Sequence, residues 1–151
     1  MVLSMSVVPK ELSGYFNESD FSKYPFVSVP QIFEDARGEI KNLADGSIGD
    51  VAIITSHSGA IRANHFHYED WHLCYLVSGE MDYFWSMSVE DRRFQSVRVK
   101  SKEMVFTPAA TPHKIVFNEN SVFLSISKLS RISENYERDT IKLEEDFFHS
   151  N

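Results

Sequence analysis

Apolar residues recur along this chain in short segments, and the segments have a two-residue period. From Phe26 to Lys128, runs rich in Val, Ile, Phe and Tyr are broken by clusters of Gly, Asn, Asp and Ser. That pattern predicts β-strands rather than helices. Strands are expected over 26–29, 31–35, 38–43, 50–56, 60–67, 71–78, 80–87, 94–100, 104–107, 113–118 and 121–128. Ala44-Asp45-Gly46-Ser47 and Asn118-Glu119-Asn120-Ser121 read as hairpin turns, and Ser78-Gly79-Glu80 as a tight connection. Asp35, Arg37 and Gly38 read as a turn between two early strands. Many short strands at even spacing predict an all-β sandwich or barrel. Residues 1–25 read as an irregular or partly helical lead-in, and 26–147 as one barrel domain. The charged tail, 133–146, is expected to be a short helix or an edge segment, with Glu144, Glu145 and Asp146 solvated.

The 151 residues fit one domain of ordinary size. At 42% hydrophobic and 13% aromatic residues, the chain can bury a real core. The net charge of −7 and the lack of a basic tract argue against nucleic acid as a partner. No apolar run approaches the roughly 18 residues of a membrane helix. The N-terminus lacks the basic start and long apolar core of a signal peptide. Cys74 is the one cysteine, so no internal disulfide can form, and a cytoplasmic setting is expected.

Four of the six histidines fall into one pattern: Gly59-x5-His65-x-His67-x4-His72-x6-Gly79, then Pro108-x4-His113. Alternate residues of a strand point to one face, so His65 and His67 project together while Asn64 and Phe66 point away. After the turn Tyr68-Glu69-Asp70 the chain returns, and His72 opens the next strand. His72, Cys74 and Leu76 share one face of it; Leu73, Tyr75 and Val77 share the other. With the His113 strand beside the first pair, all four imidazoles converge in a barrel mouth. Neutral imidazoles are ligands for divalent transition metals, here Zn, Fe, Mn, Ni or Cu. His57 and His149 have no such context and read as surface residues. Glu69 and Asp70, in the turn, read as solvated, and Cys74 as a small buried hydrophobe.

The run from Gly59 to Met81 resembles the first motif of the cupin superfamily, usually G-x5-H-x-H-x3-4-E-x6-G, with His72 at the glutamate position. Lys102 to Asn118 resembles the second motif. Pro108 and His113 match there, Lys102 and Ala110 replace its two glycines, and Asn118 stands one residue late. The resemblance implies a single double-stranded β-helix, or jelly-roll, barrel. The stretch from Val29 to Leu43, with Phe33 to Gly38 at its centre, is similar to the N-terminal strands of dTDP-4-dehydrorhamnose 3,5-epimerases and sugar-nucleotide 3,4-ketoisomerases. Arg62-Ala63-Asn64-His65 resembles their R-G-x-H. This second resemblance implies His65 as general base and Arg62 as a contact to a substrate diphosphate. It also implies a homodimer. The departures are specific. Those metal-free epimerases carry glutamine at the position of His67 and lysine near His72. Their acid is a tyrosine beyond the second motif, and no tyrosine stands between His113 and Tyr136.

An ion held by four neutral imidazoles keeps its full double charge and favours an oxyanion partner. Such an ion would polarise a carbonyl and acidify the neighbouring C–H, the step of epimerisation and keto–enol isomerisation. The expectation is therefore a metal-dependent epimerase or isomerase of a sugar or sugar nucleotide. A metal-dependent oxygenase and a non-catalytic ligand-binding module are the alternatives. Tyr75 and Tyr83, on the strands after the site, are candidate acid–base or substrate residues beside His65 and Arg62. On a regular strand Arg62 points away from His65, so a bulge is required to bring it into the cavity. Arg92, Arg93, Arg98, Lys100 and Lys102 are candidate contacts for a nucleotide's charge.

Overall fold

The computed structural model describes residues 7–132 and 134–149. Its strands are β1 (Gln31–Asp35), β2 (Gly38–Asn42), β3 (Asp50–Ser56), β4 (Ile61–His67), β5 (His72–Ser78), β6 (Glu80–Ser86), β7 (Phe94–Lys100), β8 (Met104–Thr107), β9 (His113–Phe117), β10 (Ser121–Ser127) and β11 (Thr140–Lys142). One short helix, α1 (Glu134–Asp139), precedes β11. The predicted strands form with boundaries shifted by a residue or two, except 26–29. There Phe26 makes a single bridge to Val105, and the carbonyl of Met104 takes the amide of Val27.

Two antiparallel sheets face each other, ordered β3-β10-β5-β8 and β11-β4-β9-β6-β7. From β3 to β6 each strand lies in the opposite sheet to the one before it, which is the jelly-roll winding. Two of the expected hairpin turns are therefore corrected. Residues 118–121 carry the chain from β9 in one sheet to β10 in the other. Residues 43–49 leave the separate β1–β2 hairpin and enter β3, anchored by Ser47 N–H to Glu11 O and Gly49 N–H to Ser127 O. Turn composition marks a reversal, but the identity of the partner strand is a tertiary matter. Gly79 makes the sharp crossing from β5 to β6 at φ 99°, where a Cβ would stand 2.7 Å from Ser121 Cα.

The core has two layers. Leu76, Met81, Tyr83, Val99, Val105, Ile115, Phe117 and Phe123 fill the space between the sheets. Leu73, Met104, Phe106 and Ile126 point out of the first sheet and meet Val8, Leu12, Phe16 and Phe21 of the lead-in. Phe16, Phe21 and Phe106 stack edge to face at 5.5 and 5.0 Å. The described part of the lead-in is thus a third layer, with two short helical turns, Lys10–Leu12 and Glu18–Phe21. The tail forms both expected elements, the short helix α1 and the edge strand β11. Arg92 pairs with Glu144 and Asp146, and Phe147 and Phe148 are buried, the latter against Phe84 and Phe94 on the outer face of the second sheet. Glu144, Glu145 and Asp146 themselves remain exposed. Each buried ring contributes about 1.5–3 kcal/mol, enough to hold a short segment down.

Candidate metal centre

β4 and β9 pair from Ile61↔Val116 through Arg62↔Ile115 and Ala63↔Lys114, then resume at His65↔His113. Asn64 is the extra residue of a β-bulge. Ala63 and Asn64 both have left-handed backbone, at φ 63° and 57°. The bulge reverses the parity of the strand, so Arg62 and His65 line the same cavity. Asn64 is suited to the left-handed backbone and anchors there through its side-chain amide, which donates to Glu144 O at 3.3 Å. Lys102 and Ala110, at the motif positions that glycine usually holds, are also left-handed, at φ 72° and 60°. The backbone that the motif requires is retained without glycine.

A cavity of about 160 Å³ opens between the sheets, lined in part by His65, His72, His113, Arg62, Arg131 and Tyr136. The rings of His65 and His67 lie 4.5 Å apart, those of His65 and His113 4.8 Å. One ring nitrogen from each of these three histidines lies within 4.8 Å of the others. Hydrogen bonds set the tautomers. His113 Nδ1–H donates to the carbonyl of Thr111 at 2.9 Å, which leaves Nε2 with a lone pair. The hydroxyl of Thr140 donates to Tyr136 O at 3.0 Å, so it accepts from His67 Nδ1–H at 3.1 Å. His67 Nε2 is buried with no hydrogen-bond partner. A buried lone pair left without a donor is costly, and a cation held by these three histidines would satisfy it. Burial, reinforced by the neighbouring imidazoles, drives His65 and His67 down to about 3 and His113 well below its ordinary value. All three are neutral at physiological pH. The donor set, its tautomers and its protonation fit a divalent transition metal.

His72 stands differently. Its Nε2 lies 2.9 Å from Asp70 Oδ2 and its Nδ1 3.3 Å from Ser125 Oγ. Its ring stacks on that of His67 at 4.7 Å. Asp70, expected to be solvated, is 0% exposed. Its Oδ1 accepts the amides of Lys128 and Leu129, both at 3.0 Å. Burial opposes its ionisation, but the hydrogen bonds from His72 and Leu129 outweigh it and hold the carboxyl below its ordinary value.

The remaining predicted residues separate. Arg62 fastens to Ser56 Oγ at 2.7 Å and Thr55 O at 2.8 Å, at the cavity rim. Tyr83 is fully buried beneath the site, its hydroxyl 2.7 Å from Thr107 Oγ1 and its ring stacked 6.3 Å from His113. Tyr75 is a correction. It faces the lead-in layer on the side of β5 away from the cavity, with Lys41 over its ring. The alternation of β5 puts Tyr75 opposite to His72, so it cannot reach the histidines. Cys74 lines the cavity, and burial pushes its thiol up to about 12. His57 and His149 are exposed. Arg92, Arg93 and Arg98 are engaged by carboxylates: Glu144 and Asp146, Asp91, and Glu80 and Asp82.

Several site residues have no sequence signal. Arg131 follows β10 and Tyr136 lies in α1, yet both line the cavity. The Arg131 guanidinium lies over the Tyr136 ring at 5.6 Å and donates to Asp50 and Ser125. Asp139 accepts the amides of Glu69 and Asp70 and closes the turn between the histidine strands. Nothing in the spacing from His113 to the tail announces that α1 folds back over the histidines.

No protein-family model and no curated protein matches the sequence. The fold is nevertheless shared with solved structures. The capsular polysaccharide assembling protein CapF of Staphylococcus aureus superposes with a TM-score of 0.57 at 24% identity, over 86% of this chain and 37% of CapF. The chain thus spans little more than a third of that protein. The dTDP-4-dehydrorhamnose 3,5-epimerase of Sulfolobus tokodaii gives a TM-score of 0.63 at 13% identity, over 78% of this chain and 76% of the epimerase. The QdtA 3,4-ketoisomerase of Thermoanaerobacterium thermosaccharolyticum, solved as a double mutant with TDP, gives 0.62 at 18%, over 83% and 91%. No helix among the described residues is long and apolar enough to cross a membrane. In architecture the chain has the jelly-roll barrel fold of these solved sugar-nucleotide epimerase structures.

Proposed function

We propose that the chain is a metal-dependent epimerase or isomerase acting on a keto-sugar, presented as a sugar nucleotide. The observation that carries the metal is the lone pair of His67 Nε2, buried without a partner beside His65 and His113. The observation that favours a sugar is the fold, found in enzymes whose reactions are named for dTDP-sugars. A bound divalent ion would act as a Lewis acid on the carbonyl oxygen.

The protein's own groups would supply the rest. Ile54, Ile115 and Phe123 make one side of the cavity apolar and exclude water from the reacting carbons. Arg62 and Arg131 put positive charge at the rim, where a substrate's phosphates would sit. The cavity of about 160 Å³ has room for a small molecule such as a single sugar ring, leaving a nucleotide outside it. Tyr136, with its hydroxyl 3.4 Å from Arg131 Nη1 and its ring 6.0 Å from that of His67, would be the proton donor to the substrate oxygen in this reading.

The test has two parts. Metal content is measured by mass spectrometry on untagged protein, as purified and after separate reconstitution with Zn, Fe, Mn, Ni and Cu. The loaded protein is then incubated with a dTDP-4-keto-6-deoxyhexose in deuterium oxide and followed by proton NMR. Metal-dependent exchange of a hydrogen next to the carbonyl is the expected result. No metal under any condition defeats the metal reading. Metal without exchange, but with oxygen consumption, replaces the isomerase by an oxygenase.

A further inference from the structure

We infer that His72 is not a fourth metal ligand but a positioning residue held outside the ion's ligand shell by Asp70. The inference rests on the metal reading above and departs from it in the ligand set: three histidines rather than four.

The geometry separates His72 from the other three. His65, His67 and His113 have ring nitrogens that converge, whereas among the described residues a ring nitrogen of His72 groups instead with one of His67 and a carboxylate oxygen of Asp70. Its two nitrogens already have partners. A carboxylate can only accept, so the 2.9 Å contact to Asp70 Oδ2 places the proton on Nε2. A nitrogen that carries a proton has no lone pair for a metal. Nδ1 is then the acceptor and takes the Ser125 hydroxyl at 3.3 Å. Asp70 cannot swing aside easily, because its other oxygen holds the amides of Lys128 and Leu129 in a fully buried place. Nε2 could turn to a metal only by breaking the bond to Asp70, and Nδ1 could reach one only by giving up the Ser125 hydroxyl.

The consequence runs along the cavity wall. Ser125, which gives its proton to His72, accepts from Arg131 Nη2 at 3.3 Å. Arg131 Nε donates to Asp50 at 3.0 Å and its Nη1 to the Tyr136 hydroxyl at 3.4 Å. Asp70, His72, Ser125, Arg131 and Tyr136 form one hydrogen-bonded chain beside the three-histidine group. The ion would keep its remaining positions for substrate and solvent, and His72 would set the direction of the side chains that meet the substrate.

The experiment is zinc and cobalt(II) binding, measured by competition with a chromophoric chelator. It compares the wild-type chain with His67→Gln, His113→Gln and His72→Gln. Removing a hydrogen-bonding partner of a ligand costs about 10–100-fold in affinity, so losing a ligand itself should cost more. We expect zinc to bind His67→Gln and His113→Gln more than about 100-fold less tightly, and His72→Gln within about threefold of wild type. The cobalt(II) absorption spectrum of His72→Gln should keep the wild-type band positions. A folded His72→Gln that loses zinc as His113→Gln does overturns the inference. If His72→Gln does not fold, X-ray absorption of zinc-loaded wild type decides the question. Three imidazoles in the first shell support the inference and four overturn it. A wild type that binds neither metal overturns the metal reading itself, and this inference with it.

Discussion

Arg62 and His65 face one cavity because Asn64 is an extra residue between them, bulged out of the β4–β9 ladder in left-handed conformation. Pairing without the bulge would set Asn64 opposite His113 and turn His65 outward. The backbone at Asn64 therefore decides whether the histidine group exists. A β-branched residue is strongly disfavoured there. Asn64→Val is expected to lose about 1–2 kcal/mol from the backbone, and more from the lost bonds to the tail. Its metal binding should fall with it. Asn64→Gly, which accepts the conformation, should keep the metal while losing only the tail contact. Denaturant titration and zinc binding on both variants check this. Equal loss of metal in both would mean that the side chain, not the bulge, matters.

Ala110 illustrates the opposite case. It holds a left-handed backbone, φ 60°, at a motif position usually filled by glycine, and its amide donates to His67 O at 2.6 Å. Ala110→Gly should relieve strain, offset in part by the greater freedom of glycine in the unfolded chain. The expected net gain is up to about 1 kcal/mol, seen as a rise in Tm of roughly 2–4 °C by calorimetry.

Asp139 is the clasp between the histidine strands and the tail. Its carboxylate accepts the amides of Glu69 at 2.8 Å and Asp70 at 3.1 Å. Asp139→Ala leaves both donors without their acceptor in a turn where Asp70 is buried and Glu69 exposed. A loss of about 1–3 kcal/mol is expected for each that water cannot reach. Because the turn aims His67 and His72, zinc affinity should fall as well. Unchanged stability in urea would refute the role.

The neutral histidines make the metal-free protein sensitive to acid. His65 and His67 have folded values of about 3 against 6.5 ordinarily, chiefly through burial. Between those limits the unfolded chain binds protons that the folded chain excludes. Their neutral burial is therefore without penalty above pH 6.5, and stability is lost progressively as pH falls from 6.5 toward 3. Near pH 5.5 the pair should cost up to about 1.4 kcal/mol for each histidine. The check is urea unfolding of metal-free protein at pH 7 and near pH 5.5. The His65→Gln/His67→Gln variant should show a flatter pH dependence, and an equally steep one would show that other groups govern the acid limb.

The strands were legible because a half-buried strand writes its alternation into the sequence, and a jelly roll is built of little else. The histidine spacing was legible for the same reason: His65-x-His67 puts two imidazoles on one face wherever that strand lies. Which strands pair was not legible, since residues 118–121 have hairpin composition but join opposite sheets. The parity of Tyr75 against His72 could be read from β5 alone, but that its face meets the lead-in required the packed molecule.

What the sequence by itself determined is the set of imidazoles, their local spacing and the alternation that makes a barrel, because these depend on neighbours along the chain. What only the tertiary structure decided is how those imidazoles divide. Asp70 follows from the sequence as a turn residue. Its burial against the amides at the end of β10, more than fifty residues away in the chain, makes it the partner of His72. Arg131 and Tyr136 enter the cavity for a similar reason, as the chain beyond β10 folds back across the histidines. Such contacts form wherever packing leaves a buried donor or acceptor to satisfy, and no local pattern records which distant group will satisfy it.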